Sequence, residues 1–210
     1  MRERGILFNG PMVRAVLAGK KTQTRRIVKP QPDWDSPKPC CETTRDGFQG
    51  AVNRGMWSCG GTWTDDEDPR RCPYGQPGDR LWVREAWNKF PPWEGYFYAA
   101  DDHSFGIGEC DDSDHIEPHD LRWKPSTNMP REASRLTLEI TEVRVERLNE
   151  ISEDDARAEG APMSHGERGQ NDPRICFHRI GFRELWESIN GPGSWAANPW
   201  VWVIAFRRLP

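Results

Sequence analysis

Ser134-Arg135-Leu136-Thr137-Leu138-Glu139-Ile140-Thr141-Glu142-Val143-Arg144-Val145-Glu146-Arg147-Leu148 alternates apolar and polar residues, the period of a β-strand. Leu136, Leu138 and Ile140 share one parity while Val143 and Val145 share the other, so the phase changes near Thr141. A bulge or sharp bend at that point accounts for the change, and such bends help a sheet curl into a small barrel. The rest of the sheet is read outward from this strand. Trp200, Trp202, Ile204 and Phe206 alternate with Val201, Val203 and Ala205, so both faces of the last strand are apolar and it belongs in the middle of the sheet. Ile6-Leu7-Phe8 opens the chain as a short strand. Pro77-Gly78-Asp79 turns into a strand from Arg80 to Glu85, with Tyr96-Phe97-Tyr98 as the next one to pair.

Helices have their own punctuation. Asn9-Gly10-Pro11 starts one, Val13, Val16 and Leu17 fall at i, i+3, i+4, and Gly19 stops it. Ser152-Glu153-Asp154-Asp155 has the form of a capping box, with Ile151 and Ala156 as a hydrophobic staple and Gly160 as the stop. Phe177, Ile180, Leu185, Trp186 and Ile189 predict a late amphipathic helix that ends at Asn190-Gly191-Pro192-Gly193. The class is α+β, one domain over 1–210, with insertions at about 31–76, 100–132 and 161–175 where turn formers replace any sustained period.

Chemistry concentrates in Leu17-Ala18-Gly19-Lys20-Lys21-Thr22-Gln23-Thr24-Arg25-Arg26, which sets two lysines, two threonines and two arginines on one short segment after the first helix. A lysine that is desolvated or crowded by other cations loses its proton more readily, and the neutral amine can then activate a neighbouring hydroxyl as nucleophile. Lys21 and Thr24 are three apart, so on a straight strand they face opposite ways and cooperate only through a turn. The plain alternative is a solvated basic turn.

That decamer resembles the signature of the ASCH family, small PUA-like domains tied to RNA metabolism, and in particular its bacterial N4-acetylcytidine amidohydrolases. Gly78-Asp79-Arg80-Leu81-Trp82-Val83 and Val203-Ile204-Ala205-Phe206-Arg207 are similar to the family's Gly-Asp turn and closing strand, and the acidic stretch from Leu148 to Gly160 is similar to the helix that supplies its glutamate. As a whole the chain looks most like the larger ASCH-domain proteins of bacteriophages and prophages. The resemblance implies a PUA-like curled barrel and a catalytic set of Lys21 as proton acceptor, Thr24 as nucleophile and Glu159 as third member. It also implies a modified or acylated pyrimidine nucleoside, or RNA containing it, as partner, with hydrolysis of an N4-acyl amide as the reaction and no cofactor. Lys20, Arg25 and Arg26 are the candidates to hold a phosphate or a developing oxyanion. A non-catalytic RNA-binding module, a ribonuclease, and a phage structural or host-interaction protein are the alternatives. Glu159 falls at a helix C-terminus, where the dipole disfavours a carboxylate unless a cation such as Lys21 pairs with it.

Composition bounds these readings. In 210 residues the hydrophobic share is 35% and mean hydropathy is -0.86, low for a core of that whole length, although 11 tryptophans bury much area per residue. A net charge of -4 argues against holding nucleic acid mainly by phosphate neutralisation. Yet over residues 1–30 Arg2, Arg4, Arg14, Lys20, Lys21, Arg25, Arg26 and Lys29 stand against Glu3 alone, a basic face that can attract phosphate locally. No apolar run reaches the roughly 18 residues that span a bilayer, and no signal-peptide core follows Arg2-Glu3-Arg4, so the expectation is a cytoplasmic protein with no membrane partner. Reduced cysteines are expected there. Cys40, Cys41, Cys59 and Cys72 lack a Cys-x-x-Cys knuckle, and Pro118 breaks a helical arrangement of Cys110, His115 and His119, so no metal is assigned. Trp82, Trp87 and Trp123 are candidates to stack a base.

Overall fold

The computed structural model describes residues 1–31, 56–57, 70–89, 94–101, 122–165 and 177–210. Much of the three expected insertions, together with Cys40, Cys41, Cys59, Cys110, His115, His119 and Cys176, lies outside the described residues. The described strands are β1 (Glu3–Leu7), β2 (Gln23–Ile27), β3 (Met56–Trp57), β4 (Arg70–Arg71), β5 (Arg80–Arg84), β6 (Trp87–Asn88), β7 (Phe97–Tyr98), β8 (Thr137–Arg147) and β9 (Trp200–Arg208). The helices are α1 (Gly10–Leu17), α2 (Glu153–Ala158) and α3 (His178–Asn190). None of these helices is long and apolar enough to cross a membrane. The protein is α+β.

Five strands form one sheet in the order β1-β5-β8-β9-β2, parallel between β1 and β5 and antiparallel elsewhere. β8 carries the bulge that its phase change predicts: the register with β9 shifts between Ile140 and Glu142. Because one residue is inserted, Leu138, Ile140, Val143 and Val145 all turn to the same apolar cluster despite their different parity. The same step turns Arg144 and Glu146 to the opposite face, which decides the chemistry of the site described below. β9 lies inside the sheet and is apolar on both sides, with Trp200, Trp202, Ile204 and Phe206 in the first cluster and Val201 and Val203 in a second.

One helix covers each face. α1 buries Val13 and Val16 in the first cluster; Asn9 caps it by accepting from the Met12 N–H at 3.0 Å. Replacement of Asn9 by alanine is expected to lower the unfolding free energy by about 1 kcal/mol, read as a lower urea midpoint at unchanged denaturant slope. α3 buries Phe182 and Trp186 in the second cluster with Ile151, Ala156 and Ala161. Its first backbone donors, from His178 and Arg179, go to the carboxylate of Glu153 at 2.5 and 3.0 Å, so α2 caps α3 and the two helices are locked end to end.

Two expectations are corrected. Phe97–Tyr98 pairs with Trp87–Asn88 in a separate two-stranded ribbon rather than extending β5. In α3 the buried side runs through Gly181, Phe182 and Trp186, while Phe177 and Ile189 are exposed. The reason is Gly181, where the helix meets the Pro162 carbonyl so closely that a Cβ would lie 1.9 Å from its oxygen. Gly181 lets the helix approach this close on the side where Phe182 is buried.

Candidate active site

α1 delivers the chain to the edge of the sheet, where the Lys20 and Lys21 N–H groups both bond to the Ala15 carbonyl at 2.8 and 3.0 Å. Lys21 then pairs as an isolated antiparallel bridge with Glu159, and the Thr22 N–H reaches the Ala158 carbonyl at 2.8 Å. From Gln23 onward the chain is β2. The segment is thus half turn and half edge strand, and this break in regularity frees Lys21 and Thr24 from strict strand alternation.

Lys21 is buried, and its Nζ donates to the Glu159 carboxylate and to the Glu159 carbonyl, each at 2.8 Å. Residues 138 apart in sequence therefore meet in one ion pair. Burial pushes the Lys21 ammonium below its ordinary pKa; Glu159 opposes this, and the charges of Arg26 and Arg25 add to it. Glu159 caps the C-terminal end of α2, and Lys21 is the cation its position there requires. Gly160 follows at φ +74°, a left-handed conformation that suits glycine, and a Cβ on it would press on Lys21 Cβ at 3.1 Å.

A cleft of about 70 Å³ opens beside the pair. Lys21, Thr24, Arg25, Arg26 and Glu159 line it together with Met12 of α1 and Phe182, Leu185 and Trp186 of α3. The residues expected as catalytic are thereby brought together. Thr24 is 1% exposed and pairs in register with Ile204 of β9. Lys20 is exposed and does not line the cleft, so the structure does not bring it to the site.

Arg25 and Arg26 part company. Arg26, half-buried, lines the cleft, donates to the Leu7 carbonyl at 2.7 Å and lies over the Phe8 ring at 5.7 Å. Arg25 has no exposed side-chain surface and spends its whole fork on carboxylates: Nη1 to Glu159 at 3.1 Å, Nη2 to Asp155 at 3.0 Å, and Nε and Nη2 to Glu146. It is a holder of Glu159 and not a free seat for phosphate. Sequence reasoning missed this network because Glu146 and Asp155 come from β8 and α2. Arg144 closes it, donating to Asp155 at 2.7 Å and to Glu146 at 3.3 Å. The available signal was the parity of Glu142, Arg144 and Glu146 after the bulge, which sets charge against a face that a helix must cover.

The tryptophans proposed as base platforms lie elsewhere. Trp87 is buried with Met129 and Ala133, Trp82 faces the guanidinium groups of Arg84 and Arg131, and neither they nor Trp123 line the cleft, whereas Trp186 does. A roomier groove of about 470 Å³, walled by Ile151, Phe177, Ile180 and Trp195, contains no free nucleophile with a base: the Ser152 hydroxyl accepts from the Asp155 N–H and Glu153 caps α3. Among the described residues no group of His, Cys, Asp and Glu is placed to hold a metal. Cys72 is buried and its thiol is pushed up to about 11 by desolvation, which keeps it protonated. Comparison of the chain with protein-family models, curated proteins and solved structures gives no match.

Proposed function

We propose that the cleft is the active site of an amidohydrolase that acts on an N4-acylated cytidine, free or within RNA, on a PUA-like curled barrel of the ASCH type. The observation that carries the reading is the meeting of a buried Lys21, its partner Glu159 and the threonine Thr24 in one cleft. The curled barrel is supported by the β8 bulge and by Arg26, which reaches from edge strand β2 to the Leu7 carbonyl at the end of the other edge strand, β1.

The chemistry follows from proton positions. A lysine and a carboxylate that share one proton exist either as an ion pair or as amine and carboxylic acid. In the second form Lys21 takes the Thr24 hydroxyl proton as the oxygen attacks the acyl carbonyl, and the Glu159 acid gives its proton to N4 as the carbon–nitrogen bond breaks. Cytidine leaves, the acyl group stays on Thr24 as an ester, and the pair is now lysine ammonium and carboxylate. Transfer of the proton across the 2.8 Å contact restores the amine. Water then loses a proton to Lys21 and attacks the ester, and Thr24 recovers its proton as the acid departs. Arg26, on the cleft wall, is the donor for the developing oxyanion or for a substrate phosphate.

A recognition module without turnover is the second reading, favoured by the small exposure of Thr24. Titration calorimetry of the Thr24→Ala protein separates the two. Binding of N4-acetylcytidine in preference to cytidine is the expected result. Binding of an RNA oligonucleotide with no response to either nucleoside favours the recognition module.

A further inference from the structure

We propose that Arg25 is a positioning residue for the Lys21–Glu159 pair, and that Glu146 and Asp155 are counter-charges that leave the pair free to move its one proton between amine and carboxylate.

Lys21 and Arg25 hold the two oxygens of Glu159 separately, Lys21 on Oε2 and Arg25 on Oε1. Bidentate capture from two directions fixes the carboxyl plane against the cleft. A bare guanidinium at 3.1 Å would also favour the ion-pair form over amine and acid. An ionised Glu159 keeps Lys21 protonated, and a protonated lysine accepts nothing from Thr24.

The surroundings cancel that field. β8 contributes Glu142, Arg144 and Glu146, α2 contributes Asp155, and β2 contributes Arg25 and Arg26, while Phe8, Met12 and Phe182 bring no charge. Arg25, Arg26 and Arg144 balance Glu142, Glu146 and Asp155. The pair therefore sits in a cluster whose charge is balanced in either form, ion pair or amine with acid, and moving the proton builds up no buried charge. Arg144 gives the two acids a second cation: burial works against the Asp155 charge, but Arg144 and Arg25 hold its pKa below the ordinary carboxylate value. The stripe that the β8 bulge turns to this face thus has a role in the reaction and not only in solubility.

This inference rests on the cleft being hydrolytic, and its test keeps the two claims apart. Asp155→Asn and Glu146→Gln each remove one negative charge without changing shape, so the field at the pair becomes more positive and the Lys21 ammonium gives up its proton at lower pH. The side-chain nitrogen of Lys21, followed by NMR across pH in the free protein, should titrate about one unit lower in either variant. The bell of kcat for N4-acetylcytidine should move to acid by the same amount, and the bell of Arg25→Gln to alkali. Titrations of both acid variants that coincide with the parent, or that move to alkali, overturn the proposal. If the parent hydrolyses nothing, the amidohydrolase reading falls, and the NMR titration still decides this one. Should Asp155→Asn lose its native spectrum, the titration of Glu146→Gln decides alone.

Discussion

Replacing Lys21 by methionine is expected to abolish hydrolysis of N4-acetylcytidine and to lower the unfolding free energy by about 3 kcal/mol. The stability loss comes from Glu159, whose buried carboxylate loses its closer cation. Removal of one partner from a buried pair costs about 3–5 kcal/mol, and Arg25 on Oε1 keeps the value at the low end. Two effects run in opposite directions. Methionine fills the volume of the lysine stem and saves the cost of desolvating an ammonium, but it cannot satisfy Oε2. Combining Lys21→Met with Glu159→Leu should restore part of the lost stability, because exchanging both members of a buried pair for apolar groups is close to neutral while Arg25 Nη1 loses its acceptor, and should restore no activity. Urea midpoints of the parent, both singles and the double variant check this. Additive losses in the double variant would mean that the two residues do not act as a pair.

Gly181→Ala is the second large effect. Alanine in a helix interior is favoured over glycine by about 1 kcal/mol from backbone entropy alone, so a bland position would gain stability. Here the new methyl would lie 1.9 Å from the Pro162 carbonyl oxygen, an atom of the backbone that no side-chain rotation can clear. Overpacking of this kind costs about 1–3 kcal/mol, and occasionally more. The clash wins, and a net loss of about 2 kcal/mol is expected. Glu184→Ala, at an exposed position of the same helix, should stay within about 0.5 kcal/mol of the parent. The consequence reaches the site. α3 must move off the segment that follows Glu159 and Gly160, and it carries Phe182 away from Arg25, over whose guanidinium its ring stacks at 5.8 Å. Activity should therefore fall further than stability alone explains, visible as reduced kcat at temperatures where the variant is fully folded.

Much of the frame was legible in residue order because local rules and tertiary structure agree there. The phase change at Thr141 marks a bulge that exists, the double apolar face of Trp200–Arg208 marks an inner strand, and Asn9 and Ser152 cap the helices they predict. The resemblance singles out Lys21, Thr24 and Glu159, and the three line one cleft. What could not be read depends on contacts between distant elements. Arg25 looks like a free basic side chain until β8 and α2 bring Glu146 and Asp155 to it. Glu153 looks like a first-turn acid of its own helix, yet its carboxylate caps another one. The close approach of α3 to the segment after Gly160 rests on one glycine against one carbonyl, which periodicity cannot express. Lys20 differs from Lys21 by a single position, and only the bridge to Glu159 tells the buried lysine from the exposed one.

The central claim is that Thr24 does chemistry on an acyl amide, and the direct measurement is a chromatographic time course of N4-acetylcytidine with the parent protein beside Thr24→Ala. Release of cytidine by the parent, lost in Thr24→Ala, is the result the account predicts. No release at high protein concentration, or equal release by both proteins, would contradict it.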